Sequence, residues 1–349
     1  MPSFQIAGIP VLRGERKVIP IPLPALYSEV QIDMPVNVIR GRKSGPTLFI
    51  SATVHGDELN GIEIIRRLLQ LSELNKLRGT LIAVPVVNPY GLIQHSRYLP
   101  DRRDLNRSFP GMQKGSLASR VAKIFMEEIV SKSDAGIDLH TGAVHRSNFP
   151  QVRANLDDAA TLAMAEAFRA PVLIHSDVRD GSLREAAVEV GVPILLYEGG
   201  EALRYDELSI RTGLKGIIHV LRHLDMLPRS KYTPKTTPTV TVHSSKWLRS
   251  PQSGLMRSFK APGNVVQKGD VLAQIDVPLQ TESSQIRAEF DGIIIGRHET
   301  PLVYEGDAVF HIAALEEEHS ISHFEAIEAL DETAIGEAMP TVIQDPPLI

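Results

Sequence analysis

An apolar run stops at His55 in the stretch TLFISATVHGDELNGIEIIRRLL (residues 47–69), and Glu58 follows three residues later. LFISATV reads as a short buried strand, and IEIIRRLL has the spacing of a helix. HGDE then sits at a strand-to-helix corner. In a first helical turn the i, i+3 spacing brings His55 and Glu58 onto one side. Imidazole and carboxylate are the side chains left to hold a metal, because cysteine is absent and with it zinc–thiolate sites and disulfides. By itself the pair carries little: with 12 histidines, a His-x-x-Glu arises about once by chance, and a solvated turn with Asp57 capping the helix reads equally well. Two further strand ends repeat the feature, His140 after AGIDL and Glu198 after PILLY. Sites in open α/β sheets form at the carboxyl ends of strands. Two histidines, a carboxylate ligand and a separate carboxylate match the layout of catalytic zinc, for which His₂Glu with an open position is one ligand set.

The elements that must position these residues follow from patterning. A chain of 349 residues predicts two domains. Strands and helices alternate from about residue 46 to 227, with TLIAVPVV as a second buried strand ended by a turn at NPYG. SLASRVAKIFMEEIVSK is an amphipathic helix with Ser116 as N-cap, and ELSIRTGLKGIIHVLRHLDML is the closing helix. Alternation of this kind predicts an α/β sheet covered on both faces. The expected organisation is an α/β domain over 1–230, a Pro-, Thr- and Lys-rich linker over 231–240, a β-domain over 241–315 and an acidic tail over 316–349. In the β-domain, NVVQKGDVLAQI is echoed by PLVYEGDAVFHI, a twofold repeat of β-hairpins. A net charge of −5 with 43% hydrophobic residues gives no basic surface for nucleic acid. No apolar run is long enough for a membrane, and cytoplasm is the default compartment.

Between the first and second corners lies SRYLPDRRDLNRSFPG, whose four arginines cannot form a helix face across its prolines. Such a loop is more often simply solvated. Yet Asn106 and Arg107 offer several donors to a carboxylate, Arg in a fork geometry.

In this order, HGDE, DLNRSFPG, DLHTG and YEGG resemble the succinylglutamate desuccinylase/aspartoacylase family of zinc carboxypeptidase-like hydrolases, over residues 46–227. The resemblance implies a mixed sheet flanked by helices and a C-terminal β-domain, here with a barrel-sandwich-like pattern. It implies one zinc per chain held by His55, Glu58 and His140, with Glu198 as general base. Asn106 and Arg107 would grip the substrate carboxylate, Arg97 or its rival Arg103 would polarise the scissile carbonyl, and Arg184 would correspond to another substrate-contacting arginine. The activity implied is deacylation of a small N-acylated amino acid or related amine. Homo-oligomerisation is left open.

Other readings compete at single residues. Glu198 could orient a ligand histidine instead, and Asp138 is a plausible partner of His140. His219 and His223, four apart on the closing helix, read as surface or packing residues, and His145 and His175 have no evident partner. Trp247 reads as an anchor between domains. The repeat is similar to biotinyl/lipoyl carriers, but DVPLQTESSQIRAEF between its halves lacks the acceptor lysine. The β-domain is therefore expected to act as a lid or substrate selector. Rival functions are a zinc carboxypeptidase acting on peptides and a non-catalytic binding scaffold.

Overall fold

The computed structural model describes residues 4–177, 179–229, 239–278 and 283–315. The expected acidic tail lies outside them, as does the expected linker up to residue 238. A thirteen-stranded mixed sheet dominates. Its middle is parallel, in the order Arg78–Val84, Lys43–Ala52, Ala135–Gly142, Ile194–Glu201. Asp33–Arg40 and then Arg16–Pro22 extend one side antiparallel, and Arg146–Ala154 pairs antiparallel with Ile194–Glu201 on the other. All eight residues of Ala135–Gly142 are buried, as a central strand covered on both faces requires.

Alternation along the strands feeds two cores. Leu48 and Ile50 face the helices Asn60–Leu69, Ala159–Phe168 and Glu207–His223, together with Ile64, Phe168 and Leu214. Phe49 faces the other way, with Val121 and Phe125 of the helix Leu117–Glu128. Ser116 caps that helix as expected, accepting from the Ser119 amide. Two local expectations are corrected. The first helix begins only at Asn60, so His55 and Glu58 lie in the turn before it, where the Glu58 amide donates to the His55 carbonyl at 3.2 Å. Asp57 caps nothing: the N-cap position is Leu59, and Asp57 is buried with Oδ1 unpaired. NPYG is also more than a turn, since Asn88 caps a short helix over Pro89–Ile93.

The described part of the C-terminal region is strand and turn, and it extends the main sheet. Gly292–His298 pairs with Arg146–Ala154, followed by Ala308–Ala314 and Ser245–Arg249. A second sheet holds Ser283–Arg287, Val271–Asp276, Gly254–Ser258 and Leu302–Val303. The repeat is real but its halves are not hairpins. Val265–Val266 pairs in the main sheet and Val271–Asp276 in the small one, while Leu302–Val303 and Ala308–Ala314 do the reverse. Each Gly-Asp turn thus carries the chain between sheets. Gly269 and Gly306 sit at φ +98° and +83°, the left-handed region that favours glycine. Asp270 and Asp307 close the two turns alike, accepting from the amides of Gln267 and Tyr304 at 3.1 and 2.8 Å. No helix among the described residues is long and apolar enough to cross a membrane.

Candidate active site

The parallel strands end together, and the side chains they carry meet in one cleft of about 260 Å³. Thr53, at φ +57°, turns the chain out of Lys43–Ala52 and delivers His55 and Glu58. His140 and Glu198 are register partners on neighbouring parallel strands, which puts both side chains on the same side of the sheet.

Glu58 lies between the two imidazoles. Its Oε1 is 2.7 Å from His55 Nδ1 and its Oε2 is 2.7 Å from His140 Nδ1. The two Nδ1 atoms are 3.2 Å apart. All three residues are buried, and their donor atoms lie within 4.8 Å of one another. The outer nitrogens are held by carboxylates: His55 Nε2 by Asp104 at 3.1 Å and His140 Nε2 by Asp138 at 2.7 Å. Asp138 is fixed in turn by the Ser51 hydroxyl at 2.7 Å. A carboxylate on Nε2–H leaves the Nδ1 lone pair free to ligate and fixes the ring, the usual support of a metal-binding histidine. This donor set fits a divalent cation. Among the described residues no other group of His, Asp and Glu converges in this way.

The charges of the corner follow from this packing. Burial alone would push the Glu58 carboxyl up, but His55 and His140 outweigh it and hold it far below the usual range. Burial alone would push both imidazoles down. For His140 the Asp138 and Glu58 carboxylates win and hold it well above its ordinary value, and Glu58 and Asp104 raise His55. Arg97 closes the corner. Its Nε and Nη2 donate to Asp104 at 3.1 and 2.9 Å, and Nη1 reaches Glu58 at 3.5 Å.

The remaining candidate residues separate by position. Asn106, Arg107, Arg184 and Glu198 line the cleft together with His55, Glu58 and His140. Asn106 and Arg107 belong to a 3-10 turn capped by Asp104, and Asn106 Oδ1 accepts from the Leu183 amide at 2.9 Å. Arg184 is buried, with one nitrogen lacking a partner, and burial followed by the neighbouring Arg153 brings it down to about 10. Arg103 is not in the cleft: its side chain is 63% exposed and points to Asp101 at 4.0 Å. Of the two candidates, Arg97 is therefore the arginine at the His55–Glu58–His140 corner.

Several lining residues have no signal in local sequence. Asn148 and Arg153 reach Glu198, and Arg146 and Arg179 line the same wall. Trp247 and His311, from the C-terminal strands, are stacked with centroids 4.6 Å apart, and the Arg146 guanidinium lies 5.1 Å from the indole. Trp247 thus bridges the two parts of the chain, and it also forms cleft wall. Asp104 is different, since it stands inside DLNR and could have been found there. His145 meets Glu201 only through its backbone amide, and the ring of His175 lies by that of His243.

Residues 44–224 match the family model of the succinylglutamate desuccinylase/aspartoacylase catalytic domain. The chain is 30% identical over 299 residues to an N-alpha-acetyl-L-2,4-diaminobutyric acid deacetylase of Halomonas elongata, covering 81% of this chain and 86% of that protein. The product-bound ectoine utilization protein EutE (DoeB) of Ruegeria pomeroyi superposes with a TM-score of 0.78 at 27% identity, over 88% of this chain and 97% of that one. A succinylglutamate desuccinylase/aspartoacylase of Rhodobacter sphaeroides gives 0.78 at 26% identity, over 90% and 99%.

Proposed function

The chain belongs to the succinylglutamate desuccinylase/aspartoacylase family, and from that premise we propose that it is a zinc-dependent deacylase. Its substrate would be a small N-acylated amino acid or related acylated amine. The observation that carries this reading is the convergence of His55, Glu58 and His140 with Arg97 and Glu198 in one cleft. Residues 1–230 would form a zinc-carboxypeptidase-like hydrolase domain. Residues 241–315 would form a barrel-sandwich-like module that walls the cleft through Trp247 and His311.

His55, Glu58 and His140 would hold one zinc ion. When bound, the metal supplies Lewis acidity, acidifying water and polarising a carbonyl. Glu198 would take a proton from the attacking water as the water oxygen bonds to the acyl carbon. The C–N bond would then break as Glu198 returns that proton to the leaving nitrogen, giving a free amine and a carboxylic acid, which ionises to the carboxylate by losing the second water proton to solvent or to the amine. Arg97 would donate to the developing oxyanion. Asn106 and Arg107 would hold the substrate carboxylate and set its register, an orientation effect. Arg184 would supply a further cation on the same wall.

A cleft of about 260 Å³ suits a small acylated amine better than the open groove a peptidase needs. The test is a substrate panel of acetylated, succinylated and peptidyl amino acids that includes N-alpha-acetyl-2,4-diaminobutyric acid, run on zinc-loaded protein and on its Glu198→Gln variant. The expected result is hydrolysis of a small acylated amine that falls by roughly 10²–10⁴-fold in the variant while zinc stays bound. Loss of zinc together with activity would make Glu198 a ligand or an orienting residue. Efficient cleavage of peptides would favour a carboxypeptidase.

A further inference from the structure

We infer that Asn148 positions Glu198 and that Gly296, on a strand of the C-terminal region, keeps Asn148 in that position. The inference rests on the reading of Glu198 as general base. Asn148 Nδ2 donates to Glu198 Oε2 at 2.8 Å, and Arg153 Nε approaches the same oxygen at 3.3 Å. The Asn148 hydrogen bond therefore holds Oε2, and Arg153 adds its charge beside the same oxygen without a hydrogen bond. Among the described residues Oε1 has no hydrogen-bond partner, so it is the oxygen left to take a proton. A glutamate has three side-chain torsions and wanders unless it is held, and an amide hydrogen bond to one oxygen fixes the direction of the other.

Chemistry decides which way the Asn148 amide faces. Its NH₂ must point to the carboxylate, because two oxygens would repel, so Oδ1 points away. That oxygen lies against Gly296. The two residues are register partners between Arg146–Ala154 and Gly292–His298, and on its other side Gly296 faces His311 where the pairing is bulged. A Cβ at position 296 would stand 2.9 Å from Asn148 Oδ1 and 3.3 Å from His311 Cβ. The first distance is shorter than real Cβ contacts, and the atom that must yield is the far end of a side chain, not backbone. A methyl group there would turn the amide and lift Nδ2 from Glu198 while leaving the strand pairing in place. The C-terminal region thereby reaches the candidate base without touching it.

Asn148→Ala, Gly296→Ala, the double variant and Glu198→Gln test this on the full, zinc-loaded chain, with the best substrate of the panel. Asn148→Ala should lower kcat roughly 10- to 100-fold at unchanged KM, metal content and melting temperature. Gly296→Ala should reproduce part of that fall, and the double variant should be no worse than Asn148→Ala alone, because both act through one contact. A crystal structure of Gly296→Ala should show the Asn148–Glu198 contact broken, whatever the activity. A retained 2.8 Å contact, additive losses in the double variant, or wild-type kcat in Asn148→Ala beside an inactive Glu198→Gln overturns the inference. An active Glu198→Gln overturns the base reading itself.

Discussion

Two parts of the cleft lining are built on opposite charge. At the corner, Glu58, Asp104 and Asp138 surround two imidazoles, with Arg97 as the one arginine close to them. Along the adjoining wall, Arg153 comes within 3.3 Å of the Glu198 carboxylate, and Arg107, Arg146, Arg179 and Arg184 add their charges to the lining. The wall's field is visible in His311, which burial first, and then Arg153, Arg179 and Arg146, push down to about 3, so its imidazole is neutral. Buried charges persist where something pairs them. Carboxylates on two histidines make a corner that could hold a cation, and Arg184 carries a buried nitrogen without a partner. On the proposed reading, an N-acyl amino acid is oriented by this gradient, with its amide at the corner and its carboxylate at the wall.

The largest way to break the comparison is to empty the corner. His140→Ala removes one donor and strands Asp138 without its 2.7 Å partner. Metal analysis should find the ion gone and hydrolysis at background, whereas replacing Arg107 or Arg184 should act on KM. A variant that still carried one metal per chain would show that the corner is not the metal site.

Arg97 comes next, because it stands at the corner yet carries the charge of the wall. Arg97→Ala should lower kcat by roughly 10²–10³-fold, the usual cost of losing one oxyanion donor, with metal still bound. A rise in KM at constant kcat would instead assign it to substrate holding. Smaller still is Asp104→Asn, which leaves one oxygen for the turn cap and His55 Nε2 but removes the negative charge beside that nitrogen and the oxygen that accepts from Arg97. Metal affinity should fall about 10- to 100-fold by competition titration. Unchanged affinity would reduce Asp104 to a structural cap.

The corner was legible in the sequence and the wall was not, for a physical reason. His55 and Glu58 follow an apolar strand, and His140 and Glu198 end the apolar runs inside theirs, so each carries a local mark of where a parallel strand nears its carboxyl end. The exact backbone of HGDE was not legible, because a helix beginning at Glu58 and one beginning at Asn60 share the same apolar spacing. Wall residues have no such mark. Arg153 and Asn148 lie on an antiparallel strand, Arg179 and Arg184 follow another strand, and Trp247 and His311 arrive through the pairing of Gly292–His298 with Arg146–Ala154. Only long-range pairing brings them together. The repeat was visible for the opposite reason, since its Gly-Asp turns are local, whereas the crossing of its arms between sheets depends on distant partners.

Trp247 offers the mildest and most discriminating change. It is half-buried on the cleft wall, stacked on His311 at an interplanar angle of 13°, with the Arg146 guanidinium over its ring. Trp247→Ala removes the largest apolar surface that the C-terminal strands bring to the cleft and frees Arg146 from its cation–π contact. Losing that contact and the stack costs about 1 kcal/mol each, too little to unfold the chain. If the C-terminal region narrows the cleft, the variant should accept longer substrates. The ratio of kcat/KM for a peptide to that for the acetylated amino acid ending in the same residue should then rise about tenfold. Metal content should not change, because the corner is built entirely from other strands. If the region serves only assembly, the ratio should stay where it is while the oligomeric state shifts. An intact protein that already cleaved the peptide efficiently would remove the premise, since there would be no selection for Trp247 to impose.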